Sequence, residues 1–296
     1  MGSLEAKRGV LILLGKPPVT YTVYADEAWT HTNQPLLRFW RFYGGAMVLS
    51  NRREAIESAL RDKKLSRGLH GELKWKNVTE GRWERFAEVL DYFFDLVESG
   101  DLKFRYMWVD KHFHKPQDLT EYHEEYGYFI LYYFFLIFGF GLPWHDTGRT
   151  IQIEFKPDEL PHDRHKCDSF RQFLLGSHGF ARFEKRAPFR IIDVGELYSK
   201  EHLILQCVDV IIGAVGFMLN HMHKEKQANG RRGSRTIAKE KLYKRIRERL
   251  ARIDMTERGT KSYAIGVSTG RASDFGNIWR NRFRQWEFRS RPHGEG

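Results

Sequence analysis

The sequence predicts an α/β protein in which a mixed sheet with flanking helices is followed by a basic helical C-terminal extension. Runs rich in β-branched and aromatic residues recur at 19–24, 39–49, 104–109, 150–155 and 189–194. Between them apolar residues return at three- and four-residue steps, and strands alternating with helices of this length require crossover connections. The extension is predicted by charge: residues 224–296 hold 20 Lys and Arg against 8 Asp and Glu, whereas the first 223 residues hold 29 against 30.

The first strand, 19–24, runs directly into Asp26 and Glu27. After the second strand, Asn51 is placed to cap a helix carrying Ile56 and Leu60, and Thr79 to cap the next helix. Trp83, Phe86, Leu90, Phe93, Phe94 and Val97 give residues 80–98 one apolar face. Gly100 and Asp101 then turn the chain into the third strand. Residues 163–177 and, more strongly, 203–219 read as helices. At 227–230 the composition turns polar and flexible, which predicts a hinge and a domain boundary between residues 1–223 and 224–296. Beyond it Leu242, Ile246, Leu250 and Ile253 form a narrow apolar stripe among lysines and arginines. In the tail from Arg271, aromatic residues alternate with arginines, a pattern suited to stapling the C-terminus to the body or to stacking on single-stranded bases.

A chain of 296 residues is long enough for a large core, and 15% aromatic residues predict a bulky one. Its two cysteines, Cys167 and Cys207, form no disulfide framework, which fits a reducing cytoplasm. The apolar run 9–15 is too short for a signal segment. Residues 126–144, bounded by Tyr126 and Trp144, are uncharged and long enough to span a bilayer. Tyr132 and Tyr133 in their middle would leave hydroxyls without partners in hydrocarbon, so this segment is expected to be a buried helix or a contact with a second subunit. A near-neutral body with a basic extension points to a polyanionic partner, RNA or DNA, rather than a membrane. Against that stands the possibility of a merely solvated charged face.

The acids at the ends of apolar elements carry the chemistry. Burying a carboxylate beside a central strand is costly unless a cation compensates. Asp26 ends the first strand, Glu72 precedes the second long helix, Asp110 ends the third strand, and Asp209 lies in the apolar helix 203–219. Several carboxylates converging from different elements suit magnesium or manganese and phosphoryl chemistry. Asp26, Glu72, Asp110 and Asp209 are the expected ligands, with Glu27 and Glu154 as further candidates; Lys111 and Lys200 are candidate phosphate contacts. Gln206 and Gly213 lie on the same helix as Asp209 and are expected to support it. The cluster His162, His165 and Cys167 has no second cysteine pair to complete a zinc site.

The order of these acids resembles the ribonuclease H-like fold, in which the carboxyl ends of the adjacent first and fourth strands meet a glutamate and a last-helix aspartate. Four strings narrow the resemblance: Tyr24-Ala25-Asp26-Glu27-Ala28, Glu72-Leu73-Lys74-Trp75, Val109-Asp110-Lys111, and Ser199-Lys200 followed by Leu205-Gln206-Cys207-Val208-Asp209 with Gly213. They are similar, in order, to segments of a mostly uncharacterised ribonuclease H-like family known as domain of unknown function thirty-eight-hundred. The similarity spans residues 21–217 and leaves 224–296 outside it. Ala28-Trp29 stands where the family carries a glycine, and Glu154, Asp158 and Glu159 compete for the place of one further strand-end acid. The resemblance implies a metal-dependent nuclease in a bacterial mobile-element or defence setting. The alternatives are a non-catalytic nucleic-acid or partner-binding protein on the same scaffold, and a structural subunit whose 126–144 segment forms an oligomer core.

Overall fold

The computed structural model describes residues 16–28, 37–113, 121–269 and 275–289. The apolar run 9–15 and the tail residues 270–274 and 290–296 lie outside them. Six strands form one sheet: β1 (Val19–Ala28), β2 (Phe39–Leu49), β3 (Leu102–Asp110), β4 (Ile151–Pro157), β5 (Phe189–Val194) and β6 (Phe283–Phe288), in the order β5-β4-β1-β2-β3-β6. β2 is antiparallel to both its neighbours, while β1–β4, β4–β5 and β3–β6 pair in parallel. The chain thus builds outward from β1 first to β2 and β3, then returns to place β4 on the other side. The reversal of strand order lies between β1 and β4, where the crevice beyond the carboxyl ends of an open sheet opens.

Helices cover both faces. On one lie α1 (Arg53–Ser66), α2 (Trp83–Ser99), α5 (Leu203–Leu219) and α6 (Ser234–Arg258), packed on Tyr24, Phe42, Ala46, Phe104 and Tyr106. On the other lie α3 (Glu121–Phe134), which continues as a π-turn over Phe135–Gly139, and α4 (Arg164–Gly176). Both faces being covered explains why β3 is buried at every position except Lys103. The expected caps Asn51 and Thr79 do not cap: a 3₁₀ turn at Ser50–Arg52 leads into α1, and α2 starts with Thr79 offering only its backbone carbonyl. α4, in contrast, is capped by Asp163, whose carboxylate accepts from the Lys166 N–H at 3.0 Å.

Residues 125–144 are the one described stretch long and apolar enough to cross a membrane, and 78% of its most apolar window is buried inside the protein. Tyr128, Phe129, Tyr132, Phe135 and Leu136 pack on the sheet face carrying Val23, Ala25 and Tyr43. Most of the segment considered for a subunit contact is therefore used within its own chain.

The basic extension joins the same core. Leu242, Tyr243, Ile246, Leu250 and Ile253 pack against α2 and α5. Cations on the flank of that stripe meet the acidic side of α2: Arg245 reaches Asp91 at 3.1 Å, Arg252 reaches Glu98 at 2.6 Å, and Arg249 pairs with Asp95. A short helix, α7 (Gly276–Arg280), then leads to β6, a sixth strand not anticipated from the aromatic–arginine tail. Cations on β3 hold this end in place: half-buried Lys103 donates to the Trp279 carbonyl at 2.6 Å, and buried Arg105 donates to the carbonyls of Ile278 and Asn281. Of the two roles weighed for the tail, stapling is the one observed.

Truncating the α6 stripe therefore acts on the whole domain. Leu250 is fully buried, so Leu250→Ala should lower unfolding free energy by about 2–5 kcal/mol. Chemical denaturation monitored by circular dichroism should give one cooperative transition at reduced denaturant. A second transition, with the body retaining parental stability, would make the extension an independent unit.

Candidate functional site

The site begins with the neighbours of Asp26. Its Cα partner on β2 is Gly44, and a Cβ there would stand 2.3 Å from a side-chain methyl carbon of Ile212. Glycine at this position lets α5 lie close on β1 and β2, which brings Asp209 to the Asp26 face of the sheet. α5 is held at its start by Glu57 of α1, whose buried carboxylate accepts from the Leu203 N–H at 2.6 Å and the Ile204 N–H at 3.4 Å. With no side-chain cap of its own, α5 takes its N-terminal partners from a neighbouring helix.

On the other side of Asp26, β4 ends at Pro157, paired with Ala25, and the Asp158 N–H continues the ladder to the Ala25 carbonyl at 2.8 Å. Asp158 is thus the acid that follows the strand beside β1. The loop before α5 adds Ser199, whose N–H points to Asp158 Oδ1 at 3.3 Å and whose hydroxyl donates to Glu72 Oε1 at 2.7 Å. Gln206 fastens the segments together, accepting from the Leu73 N–H at 3.0 Å and donating to the Ser199 carbonyl at 2.7 Å. The Trp75 N–H donates to Asp209 Oδ2 at 2.6 Å. Gly213 was expected to ease α5 toward the sheet, but it makes room for Trp75 instead, since a Cβ there would meet the indole at 2.5 Å.

Asp26, Asp158, Asp209 and Glu72 therefore face one another around Lys74. Its ammonium lies 3.5 Å from Glu72 Oε1 and 3.6 Å from Asp158 Oδ2. Burial opposes the Lys74 charge, but Asp209, Asp158, Asp26 and Glu72 outweigh it and hold its pKa above the ordinary lysine value. Asp26 is pushed well above the usual carboxylate range by burial and by Asp209, Glu27 and Asp158. Asp209 is pushed up to about 6 by burial, against the pull of the Trp75 N–H and Lys74. One Asp26 oxygen accepts from the Glu27 N–H at 2.7 Å; the other, Oδ2, is buried with no hydrogen-bond partner.

Four other expected site residues, Asp110, Glu154, Lys111 and Glu27, are placed elsewhere. Asp110 ends β3, two strands from β1 and about 10 Å away at normal strand spacing. It is paired with Arg38 at 2.8 Å and accepts from the His112 N–H. Glu154 points from mid-β4 to Thr22 and Ser50, at 2.8 and 3.0 Å, before the strand reaches its end at Pro157. Lys111 lies over the Trp40 ring, 5.2 Å from its centroid. Glu27 faces the opposite side of the sheet, as strand alternation requires, and accepts from the Tyr132 hydroxyl at 2.6 Å. Burial raises its pKa against the pull of that hydrogen bond. Lys200 is exposed on the Ser199 loop, next to the cluster.

Lys239 was not anticipated. It extends from α6 over the Trp75 ring, 4.6 Å from the centroid, and burial lowers its pKa to about 8 with help from Arg235 while Asp209 opposes. The only signal in the sequence is its position three residues before Leu242, on the flank of the α6 stripe. No protein-family model matches the chain, and a search of curated proteins returns no match.

The donor set is one of hard oxygens, and the partnerless Asp26 Oδ2 is an atom a cation would satisfy, so these residues fit magnesium or manganese. As the side chains stand, no group of three or more His, Cys, Asp or Glu among the described residues is arranged to hold a metal ion. Lys74 supplies the positive charge between them.

The raised carboxyl pKa values give a signed expectation. Between about pH 4 and 6 the folded protein binds more protons than the unfolded chain, so the Asp209 contribution to stability is present in full below about pH 4 and is lost as pH rises through about 6. Without divalent metal, Asp209→Asn should melt higher than the parent above pH 7, by about 1–3 kcal/mol of stability, with the gap closing toward pH 4. It should also lose the rise in Tm that magnesium gives the parent. Scanning calorimetry across pH, with and without magnesium, checks both; an equal magnesium response in the two proteins would remove Asp209 from the ligand set.

Proposed function

We propose that this protein is a divalent-metal-dependent nuclease on a ribonuclease H-like scaffold, hydrolysing phosphodiester bonds of RNA or DNA. The observation that carries the proposal is the buried, partnerless Asp26 Oδ2 at the strand-order reversal, with Asp158 and Asp209 as its charged neighbours. A folded chain has little structural reason to bury one unsatisfied carboxylate oxygen among further acids, and the position is where open sheets place their ligands. The side-by-side placement of β1 and β4 agrees with the family resemblance, as does the approach of the helix bearing Asp209. The mobile-element or defence setting rests on the resemblance alone.

In this reading Asp26, Asp158, Asp209 and Glu72 would hold magnesium or manganese, which when bound supplies an activated water and neutralises charge on the phosphate. The chain's own groups prepare that arrangement. Ser199 orients Glu72, and the Trp75 N–H orients Asp209. Gln206 locks the Glu72 and Ser199 segments together, so the loop acids keep their places. Lys74 compensates Glu72 and Asp158 and would supply a positive charge to a bound phosphate. Lys200, exposed at the rim, supports substrate approach.

A non-catalytic nucleic-acid-binding role has one observation in its favour, that Lys74 already bridges Glu72 and Asp158. Metal titration separates the two readings: a binding protein gains Tm from nucleic acid and none from magnesium or manganese.

The test of catalysis is a cleavage panel on single- and double-stranded RNA, DNA and hybrids with each metal. Asp26→Asn and Asp158→Asn should stay folded by circular dichroism and lose about a thousandfold in rate, the loss of several kcal/mol of transition-state stabilisation. Glu27→Gln, on the other face of β1, should cost far less. Asp110→Asn should change the rate less than about threefold, because its partner is Arg38. An Asp26→Asn protein cleaving at parental rate, or Asp110→Asn proving the more damaging change, would overturn this assignment.

A further inference from the structure

The cations of α6 divide into two groups. Most are matched: Lys244 with Glu240, Arg245 with Asp91, Arg249 with Asp95, Arg252 with Glu98, and Arg258 with Asp254. These pairs account for much of the extension's charge by structure alone. Lys241, which lies over the Trp83 ring, and Arg247 form no ion pair among the described residues, nor do Lys239 and Arg235, one helical turn apart, of which Lys239 reaches the candidate site. Glu240 is the residue next to Lys239, but it is turned to Arg232 and Lys244. Like charges four residues apart on a helix repel, so the arrangement is destabilising in isolation.

Lys239 is also the half-buried member of the pair, held where it touches the candidate site. Its ammonium sits over Trp75 and 6.0 Å from the Phe217 ring, and those two rings meet edge to face at 5.4 Å. The backbone N–H of Trp75 donates to Asp209, and Gly213 provides the space the indole occupies. The positive charge is therefore fixed on one wall of the acidic cluster by a rigid aromatic support.

We propose that Lys239, with Arg235, forms a phosphate subsite that holds the nucleic-acid backbone against the carboxylate cluster. The proposal rests on the nuclease reading and names the contact by which its substrate is gripped. A backbone phosphate is the anion that relieves the Lys239–Arg235 repulsion, and the two cations offset its repulsion by the acids opposite. Trp75 is largely buried and its face is covered by the ammonium, so the wall presents charge and no open ring for a base to stack on. Recognition here is of phosphate and does not discriminate sequence. The extension thus acts on the substrate through two residues at one end of α6, while Arg245, Arg249 and Arg252 secure α2.

The experiment is binding of fluorescent single-stranded and duplex oligonucleotides by anisotropy, with calcium replacing magnesium to hold off cleavage, over a series of salt concentrations. Lys239→Met should weaken binding about tenfold at moderate salt and reduce the salt slope by about 0.7 on single strands and 0.9 on duplex. Arg235→Gln, an exposed change that leaves the core untouched, should act in the same direction by about threefold. Lys239→Arg should retain parental binding. A magnesium-induced rise in Tm should persist in Lys239→Met, since no carboxylate is removed. A parent that binds while Lys239→Met and Arg235→Gln match it in affinity and slope overturns the subsite alone. A parent that binds none of the oligonucleotides overturns the nucleic-acid reading and the subsite with it.

Discussion

The close approach of α5 to the sheet at Gly44 is the constraint on which the rest of the candidate site depends. No side chain larger than hydrogen fits between β2 and Ile212 at that point. Because Gly44 is the cross-strand partner of Asp26, the place where the helix comes nearest is also where the first-strand carboxylate emerges. A helix held farther out would leave Asp26 under solvent and Asp209 beyond its reach. Glu57 reinforces the arrangement by fixing the start of α5, so one glycine and one buried glutamate together set the position of the catalytic candidate on that helix.

Around this contact the electrostatics are unfavourable by construction. Four acids share a partly dry crevice with one lysine, and two of them, Asp26 and Asp209, resist ionisation. Strain of this kind is common where a site is prepared for a ligand, because the charge that destabilises the free protein is the charge that attracts the cation. Lys74 limits the cost without removing it: its ammonium reaches Glu72 and Asp158, and Asp26 Oδ2 still has no partner.

The C-terminal quarter shows how a charge excess can mislead. Three of its arginines, Arg245, Arg249 and Arg252, are matched to the acidic side of α2, and others pair with carboxylates elsewhere, Arg232 with Glu240 and Arg258 with Asp254. Net charge describes the chain as a whole, whereas binding depends on cations that have no internal partner. β6 belongs to the same correction, since Lys103 and Arg105 on β3 spend their charge holding the carbonyls that precede it.

Local pattern determined a good deal of this protein. Five of the six strands, the α2 and α5 helices, the opposite facing of Asp26 and Glu27, and the selection of Asp26, Glu72 and Asp209 as acids that gather in one place all follow from periodicity and from acids placed at the ends of apolar runs. β6 escaped because Arg284 and Gln285 are buried in it, so its pattern does not read as an apolar strand. Which strand-end acids meet was decided only by tertiary structure. Asp110 and Asp158 look equivalent along the chain, but β2 separates the first from Asp26 and β4 delivers the second beside it. Lys239 entered the site in the same way, through a packing angle between α6 and Trp75. A linear sequence encodes what each residue contributes to its own element; strand order and helix packing decide which elements become neighbours, and a polar site is made of neighbours.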